Sequence, residues 1–204
     1  MNLPNRLTSL TRMILFIPLL ILVILYGVLI KRGIVTYHIA GRILLSIILS
    51  IFISAMITDY LDGWLARKNK QVTTFGKLFD PIADKLIVTT VLISLSAFGF
   101  IPLWITILFV ARDLIVDAIR VLMAQNDVDV KSLQFEGKMK TLTQTIAIVI
   151  VLVVAISTNF SLISDWKKWL ILYGINIPML VALFFSIFSG YKYYKSVRSY
   201  IKTK

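Results

Sequence analysis

Six long apolar runs, separated by short polar segments, constrain the fold of this 204-residue chain more than any other feature. A helix that crosses the hydrocarbon core of a membrane needs about 20 largely apolar residues. Such a segment must satisfy its own backbone hydrogen bonds, so the predicted fold is all-α. We predict one polytopic membrane domain, residues 1–204, with six transmembrane helices. The predicted spans are 13–30, 43–62, 80–97, 102–124, 141–156 and 169–188.

The distribution of basic residues predicts the orientation of these spans. Six spans leave both termini on one side of the membrane. If that side is the cytoplasm, all but five of the 22 basic residues lie there or at nearby helix ends, as the positive-inside rule requires. Lys31, Arg32 and Arg42 make the first outer loop an imperfect fit. We therefore predict a multi-pass protein of the plasma membrane with cytoplasmic termini.

Aromatic residues near the predicted span ends match the belt that many membrane proteins place at the lipid–water interface. An aromatic belt explains these residues without any ligand. The residues assigned to it are Trp64, Trp104, Trp166, Trp169, Tyr191, Tyr193, Tyr194 and Tyr200.

The charge and the cysteine count narrow the classes of partner. The net charge is +12, but the basic residues flank apolar runs instead of forming a patch with stacking aromatics. This arrangement favours anionic lipid and phosphate substrates over nucleic acid. The chain has no cysteine and a single histidine, His38, so any metal site must be built from oxygen ligands.

Two pairs of aspartates stand at the ends of neighbouring predicted spans. Asp59 and Asp62 are spaced i, i+3, whereas Asp80 and Asp84 are spaced i, i+4, so each pair lies on one helix face. A short turn, 68–75, makes the two helices antiparallel and brings the pairs to one level of the membrane. One aspartate at a span end is most often a cap, but four facing carboxylates repel each other unless a cation lies between them. Carboxylate sites with open positions for phosphate oxygens suit Mg²⁺ or Mn²⁺.

The residues around the aspartates also favour phosphate chemistry. Gly63 and Ala66 lie on the helix face that carries Asp59 and Asp62. Because they are small, they leave a groove in which a ligand or the partner helix can approach closely. Arg67 offers a planar fork of donors suited to a pyrophosphate. Gly76 leaves the equivalent space one turn before Asp80. Pro81 removes a helical N–H, which would free a backbone carbonyl for a ligand.

Residues 59–84 read Asp-x-x-Asp-Gly-x-x-Ala-Arg, eight residues, Gly-x-x-x-Asp-x-x-x-Asp. This resembles the CDP-alcohol phosphatidyltransferase signature at every fixed position. The resemblance implies transfer of a phosphatidyl group from a CDP-linked donor to an alcohol at a site with two metal ions on the cytoplasmic side, at the ends of the second and third spans. It further implies a homodimer.

The resemblance also implies roles for individual residues. Asp59, Asp62 and Asp80 would ligate metal, and Asp84 would contact the second metal and act as general base on the acceptor hydroxyl. The residues that would bind CDP-diacylglycerol are Asn5, Thr8, Gly63, Arg67, Thr73 and Gly76.

A second group of charges points to the acceptor. Arg112 and Arg120 lie two turns apart in the fourth span, and Lys138 and Lys140 open the fifth. These cations could pair with Asp113, Asp117 or the signature aspartates, or bind lipid head groups. Alternatively, they form a pocket for the phosphate of a phosphorylated acceptor.

Three short segments resemble the branch of the family formed by the bacterial phosphatidylglycerophosphate synthases. That branch uses sn-glycerol 3-phosphate, so the resemblance implies phosphatidylglycerol phosphate and CMP as products. Asp113 departs from the Glu expected there. Inositol phosphate, serine or a second lipid are alternative acceptors, and serine carries no phosphate for the cations to bind. The segments are Asn2-Leu3-Pro4-Asn5-x-Leu7-Thr8 with Arg12 and Pro18, Ala111-Arg112-Asp113, and Gly137-Lys138-x-Lys140.

A small cation transporter is the alternative from another class, because aspartates within spans also mark ion pathways. A transporter would place its carboxylates near mid-bilayer on broken or repeated helices. Here they cluster at the ends of one predicted hairpin beside Arg67, which favours the enzyme.

Overall fold

The computed structural model describes the backbone of residues 4–33, 39–69, 74–125, 134–158 and 165–201. Side chains are described for 14–33, 39–58, 85–120, 137, 139–158, 166–167 and 170–195. Every regular element in these ranges is a helix, which confirms the predicted all-α class. The helices are α1 Pro4–Lys31, α2 Ile39–Asn69, α3 Thr74–Ala97, α4 Leu103–Gln125, α5 Gln134–Ser157 and α6 Asp165–Ile201.

The ends of two helices follow from glycine geometry. Gly33, just past the end of α1, has φ 70°, and Gly99, just past α3, has φ 81°. This left-handed conformation is strained for residues with a Cβ and commonly ends helices. After Gly99, the N–H of Phe100 donates to the Leu95 carbonyl at 2.9 Å, so the chain turns tightly into α4.

The six helices pack in a closed ring. Around the ring the order is α1, α2, α5, α6, α4 and α3, and α3 packs on α1 again. α3 also contacts α2 and α5, so it lies towards the middle of the bundle. The core between the helices is apolar, and its fully buried side chains include Leu19, Phe52, Phe109, Ile148, Leu152 and Met179.

The outer surface of the bundle is also apolar, which is expected where lipid replaces water. Leu114 on α4 is 66% exposed and Phe184 on α6 is 67% exposed. On α2, the hydroxyls of Ser50 and Ser54 donate to carbonyls one turn earlier, at 2.8 and 2.7 Å. Polar groups satisfied within their own helix can face lipid.

Four helices of the described chain are long and apolar enough to cross a membrane, namely α1, α2, α5 and α6. The described apolar part of α3, Lys85–Ala97, is shorter. α4 has the length of a span but carries two arginines and two aspartates. That α3 and α4 also cross therefore stays a prediction.

The helices extend beyond the predicted spans at their polar ends. α6 has 37 residues where 20 were predicted, and at 1.5 Å per residue it is about 55 Å long. That length exceeds the ~30 Å hydrocarbon core of a bilayer. The apolar pattern marks only the part of a helix that lipid covers, so it misses the rest.

Asn176 on α6 ties this helix to the turn between α3 and α4. Its side-chain amide donates to the Phe100 carbonyl at 3.0 Å, and Asn176 is only 5% exposed. We expect Asn176→Ala to lower the free energy of unfolding by about 1 to 2 kcal/mol, because a buried hydrogen bond between helices is lost. The midpoint of thermal unfolding in detergent should fall by roughly 2 to 8 °C. Ile177→Ala, at a 59% exposed position beside it, is the control. Equal midpoints for the two variants would contradict this role.

Candidate functional site

The predicted metal-binding aspartates lie on two helices that pack against each other. Asp59 and Asp62 are in the last third of α2, Asp80 and Asp84 are in the first half of α3, and α2 packs against α3. Because both backbones are helical there, the members of each pair lie on one face of their helix. A donor set made only of carboxylates fits a hard divalent cation. The four side chains lie outside the described residues, so the metal site stays a prediction.

The residues predicted to bind CDP-diacylglycerol also belong to the parts of the chain whose side chains are not described. Asn5 and Thr8 are in the first turns of α1, Gly63 and Arg67 lie near the end of α2, and Gly76 lies in the first turn of α3. Thr73 lies outside the described backbone. Their predicted roles stay predictions.

A cavity of about 130 Å³ lies between α3, α4 and α5. It lies towards the end of the bundle where α4 ends and α5 begins, because Arg120 is near the end of α4 and Gly137 is near the start of α5. Its residue Lys85, midway along α3, directly follows Asp84. The lining residues are Lys85, Val88, Thr89, Arg112, Asp113, Asp117, Arg120, Gly137, Lys140, Thr141 and Gln144.

Positive charge exceeds negative charge in this cavity. Four lining residues are basic and two are acidic, which leaves an excess of two positive charges. The hydroxyls of Thr89 and Thr141 and the amide of Gln144 add uncharged hydrogen-bonding groups. Such a lining suits a small anion with several oxygen atoms, because the cations neutralise its charge and the polar groups bind its other oxygens.

Arg112 is held firmly at the wall of the cavity. Its Nε donates to the Ser186 carbonyl at 2.8 Å, one terminal nitrogen donates to the Ser189 hydroxyl at 3.0 Å, and the other donates to Asp113 at 3.0 Å. Its side chain is 11% exposed. A guanidinium has five N–H donors, so two remain beyond these three bonds.

Arg120 lies two turns further along α4 and contacts Tyr193 of α6. One terminal nitrogen donates to the Tyr193 hydroxyl at 3.1 Å, and the guanidinium carbon lies 4.9 Å from the centre of the ring. Tyr193 is only 1% exposed. The assignment of Tyr193 to the aromatic belt was therefore wrong, because its ring packs inside the bundle. Tyr191 and Tyr194, at 62% and 53% exposure, are on the outer surface as a belt requires.

The two acidic residues of the cavity each pair with a lysine. Asp113 accepts hydrogen bonds from Lys140 at 2.6 and 2.7 Å, and Asp117 forms an ion pair with Lys85. Among the described side chains, neither aspartate pairs with Arg120. Of the two arginines, Arg112 thus pairs in part with Asp113, while Arg120 pairs with neither of these two aspartates. Pairing of the arginines with the signature aspartates stays untested, because those side chains lie outside the described residues.

The structure brings together three of the four residues predicted to bind the acceptor phosphate. Arg112, Arg120 and Lys140 line one cavity, and the side chain of Lys138 lies outside the described residues. Sequence reasoning missed Lys85, although it directly follows the signature. It also missed Thr141 and Gln144 on the apolar helix α5, which follow Gly137 and Lys140 with the spacing i, i+3, i+4, i+7. That spacing was a usable signal.

Known proteins resemble the chain over nearly its whole length. A family model described as CDP-alcohol phosphatidyltransferase matches residues 1–188. Three bacterial relatives are each named CDP-diacylglycerol–glycerol-3-phosphate 3-phosphatidyltransferase. The relative from Bacillus subtilis strain 168 is 35% identical, over 99% of this chain and 98% of its own length. That from Rickettsia typhi is 32% identical over 98% of both chains. That from Mycoplasma genitalium is 36% identical over 83% of this chain and 76% of its own.

Proposed function

The chain belongs to the CDP-alcohol phosphatidyltransferase family, and on that basis we propose that it makes phosphatidylglycerol phosphate. The enzyme transfers the phosphatidyl group of CDP-diacylglycerol to sn-glycerol 3-phosphate and releases CMP. Its relatives are named for this reaction. The observation that carries the choice of acceptor is the cavity between α3, α4 and α5, with its excess of two positive charges.

In this proposal the phosphate of glycerol 3-phosphate occupies the cavity. Arg112 and Arg120 donate to its oxygens, together with Lys138 and Lys140 from α5. A phosphate dianion would balance the charge excess of the lining. Unphosphorylated serine would leave it unbalanced, so the cavity disfavours serine as acceptor.

The acceptor hydroxyl then points towards Asp84, which is adjacent to the cavity residue Lys85 along α3. Asp84 takes the hydroxyl proton as the oxygen attacks the phosphorus of the phosphatidyl group. The bond between that phosphorus and the CMP oxygen breaks, and CMP leaves. Asn5, Thr8, Gly63, Arg67, Thr73 and Gly76 would hold the CDP-diacylglycerol in position.

The signature aspartates would hold two divalent cations, Mg²⁺ or Mn²⁺. Asp59, Asp62 and Asp80 would be the principal ligands, and Asp84 would contact the second ion. When bound, these cations would neutralise negative charge on the attacked phosphoryl group and on the leaving CMP. The all-carboxylate donor set supports this assignment.

The apolar helices support a place in the membrane, and the relatives are bacterial. We therefore propose that the chain is a multi-pass protein of the bacterial plasma membrane. Its termini and active site would face the cytoplasm. Its partners are membrane lipids, the two substrates and a second copy of the chain in a homodimer, with no nucleic acid. Crosslinking in membranes tests the homodimer.

An assay of CMP release tests the proposed reaction. Purified protein in detergent receives CDP-diacylglycerol and, separately, glycerol 3-phosphate, inositol phosphate or serine, with Mg²⁺, Mn²⁺ or EDTA. We expect CMP only with glycerol 3-phosphate and a divalent cation. Release with serine while glycerol 3-phosphate is inert would overturn the acceptor. Full release in EDTA would overturn the metal dependence, and no release with any acceptor would overturn the enzyme.

A further inference from the structure

Both cavity arginines form hydrogen bonds with α6, a helix that contributes none of the lining residues of the cavity. Arg112 donates to the Ser186 carbonyl and the Ser189 hydroxyl, and Arg120 donates to the Tyr193 hydroxyl. Along α6, Ser186 to Tyr193 is seven residues, or about 10.5 Å. Arg112 to Arg120 is eight residues, about 12 Å along α4. The spacing of the holding groups therefore matches the spacing of the arginines.

The contact region on α6 is fully buried. Ser186 is 0% exposed, and Ser189 and Tyr193 are each 1% exposed. Hydrogen bonds with charged donors are stronger in such surroundings than in water, because little solvent competes for the groups. The polar residues of this face of α6 thus interact with the arginines and not with lipid.

Two glycines of neighbouring helices lie against the arginines. A Cβ on Gly190 of α6 would lie 3.4 Å from the Nε of Arg112, which is ordinary van der Waals contact. A Cβ on Gly137 of α5 would lie 3.0 Å from a terminal nitrogen of Arg120, so Arg120 would have to shift by a few tenths of an ångström. Both guanidinium groups are therefore closely packed between α5 and α6.

We infer that Ser189 and Tyr193 are positioning residues for the acceptor phosphate, acting through Arg112 and Arg120 respectively. This inference rests on the proposed function, since it takes the cavity as the acceptor site. An arginine side chain loses much rotamer freedom when it binds a phosphate. Ser189 and Tyr193 restrict that freedom before the substrate arrives, so less binding energy is lost on ordering the side chains. Both arginines line the cavity, so their remaining donors are available to a phosphate there.

Tyr193→Phe tests this inference because it removes the hydroxyl and keeps the ring under Arg120. We expect KM for glycerol 3-phosphate to rise about tenfold, which is the effect of losing one hydrogen bond to a charged group. The kcat and the KM for CDP-diacylglycerol should change by less than about twofold. Tyr194→Phe is the matched control, because Tyr194 is the next residue and is 53% exposed. Ser189→Ala should raise the same KM by about threefold, since Arg112 keeps its bonds to Ser186 and Asp113.

A double-mutant cycle separates action through Arg120 from other effects of the hydroxyl. If Tyr193 acts through Arg120, then Tyr193→Phe adds little once Arg120 has been replaced by Ala. Fully additive effects would contradict the inference, as would a parallel rise of KM for both substrates, which indicates a general distortion of the binding sites. If Arg120→Ala raises KM for glycerol 3-phosphate and Tyr193→Phe does not, the inference fails and the acceptor site stands. If Arg112→Ala and Arg120→Ala both leave that KM unchanged, the acceptor site itself is wrong.

Discussion

Asp84→Asn is expected to lower kcat for CMP release by at least about a thousandfold, within the range that a general base contributes to catalysis. The amide has nearly the same shape as the carboxylate, but it cannot take the acceptor proton. CDP-diacylglycerol should still bind, because Asp59, Asp62 and Asp80 remain as metal ligands. Steady-state CMP release gives kcat, and binding of CDP-diacylglycerol to the purified variant gives donor affinity.

Two further variants are compared with Asp84→Asn, one at a predicted metal ligand and one far from the site. Asp59→Asn should weaken donor binding more than Asp84→Asn does, because Asp59 is assigned to the metal and not to the proton. Asp165→Asn is the control for loss of a carboxylate, since Asp165 begins α6 about 42 Å along the helix from Tyr193. It should leave kcat unchanged. Equal loss of donor binding in the Asp59 and Asp84 variants would contradict the division of roles.

Arg112→Ala is expected to raise KM for glycerol 3-phosphate about a hundredfold or more. The variant loses a cation whose donors are already held in place by three hydrogen bonds. It also leaves Asp113 with less positive charge around it, so this carboxylate repels the entering phosphate more strongly. Loss of one partner of a buried, hydrogen-bonded charge pair commonly costs about 2 to 5 kcal/mol, which supports an effect of this size.

The control is another arginine far from the cavity. Arg42 is exposed near the start of α2, about 30 Å along that helix from Asp62. Arg42→Ala should change KM for glycerol 3-phosphate by less than about twofold. The substrates are varied one at a time in the CMP assay, so that KM for CDP-diacylglycerol serves as a second control. An Arg112 variant with unchanged KM for glycerol 3-phosphate would exclude the cavity as the acceptor site.

The number and order of the helices could be predicted because each one carries an apolar run, which in α1, α2, α5 and α6 is long enough to cross a membrane. The ends of the helices could not be predicted. A helix such as α6 continues beyond its apolar run with polar residues, and in a sequence such residues look like a loop. The packing order also could not be read from the apolar runs. Nothing in the sequence shows that α2 packs on α5 or that α4 packs on α6.

The site was predictable only where residue type and spacing were distinctive. Arg112, Arg120 and Lys140 were found because cations are costly within spans. Tyr193 was misassigned because it has the same position near a span end as Tyr191 and Tyr194. Only burial distinguishes an interior tyrosine from a belt tyrosine, and burial depends on which helices are neighbours.

The pairing of the cavity charges was likewise beyond the sequence. Along α4 itself, two basic residues, Arg112 and Arg120, were available to Asp113 and Asp117. Asp113 does pair with Arg112, but it also pairs with Lys140 of α5, and Asp117 pairs with Lys85 of α3. Ion pairs between helices depend on the rotation of each helix about its axis, which a single sequence leaves undetermined.

Asp84 and Lys85 are consecutive residues of α3, which is helical from Thr74 to Ala97. A regular helix is stiff over a few residues, so the two positions move together. Lys85 is also tied to Asp117, which fastens α3 to α4 at that level. In the proposed enzyme, α3 would therefore hold the proton acceptor, Asp84, at a fixed distance from the cavity. The distance from phosphate to hydroxyl in the acceptor would then have to match this spacing, which would disfavour acceptors of a different length.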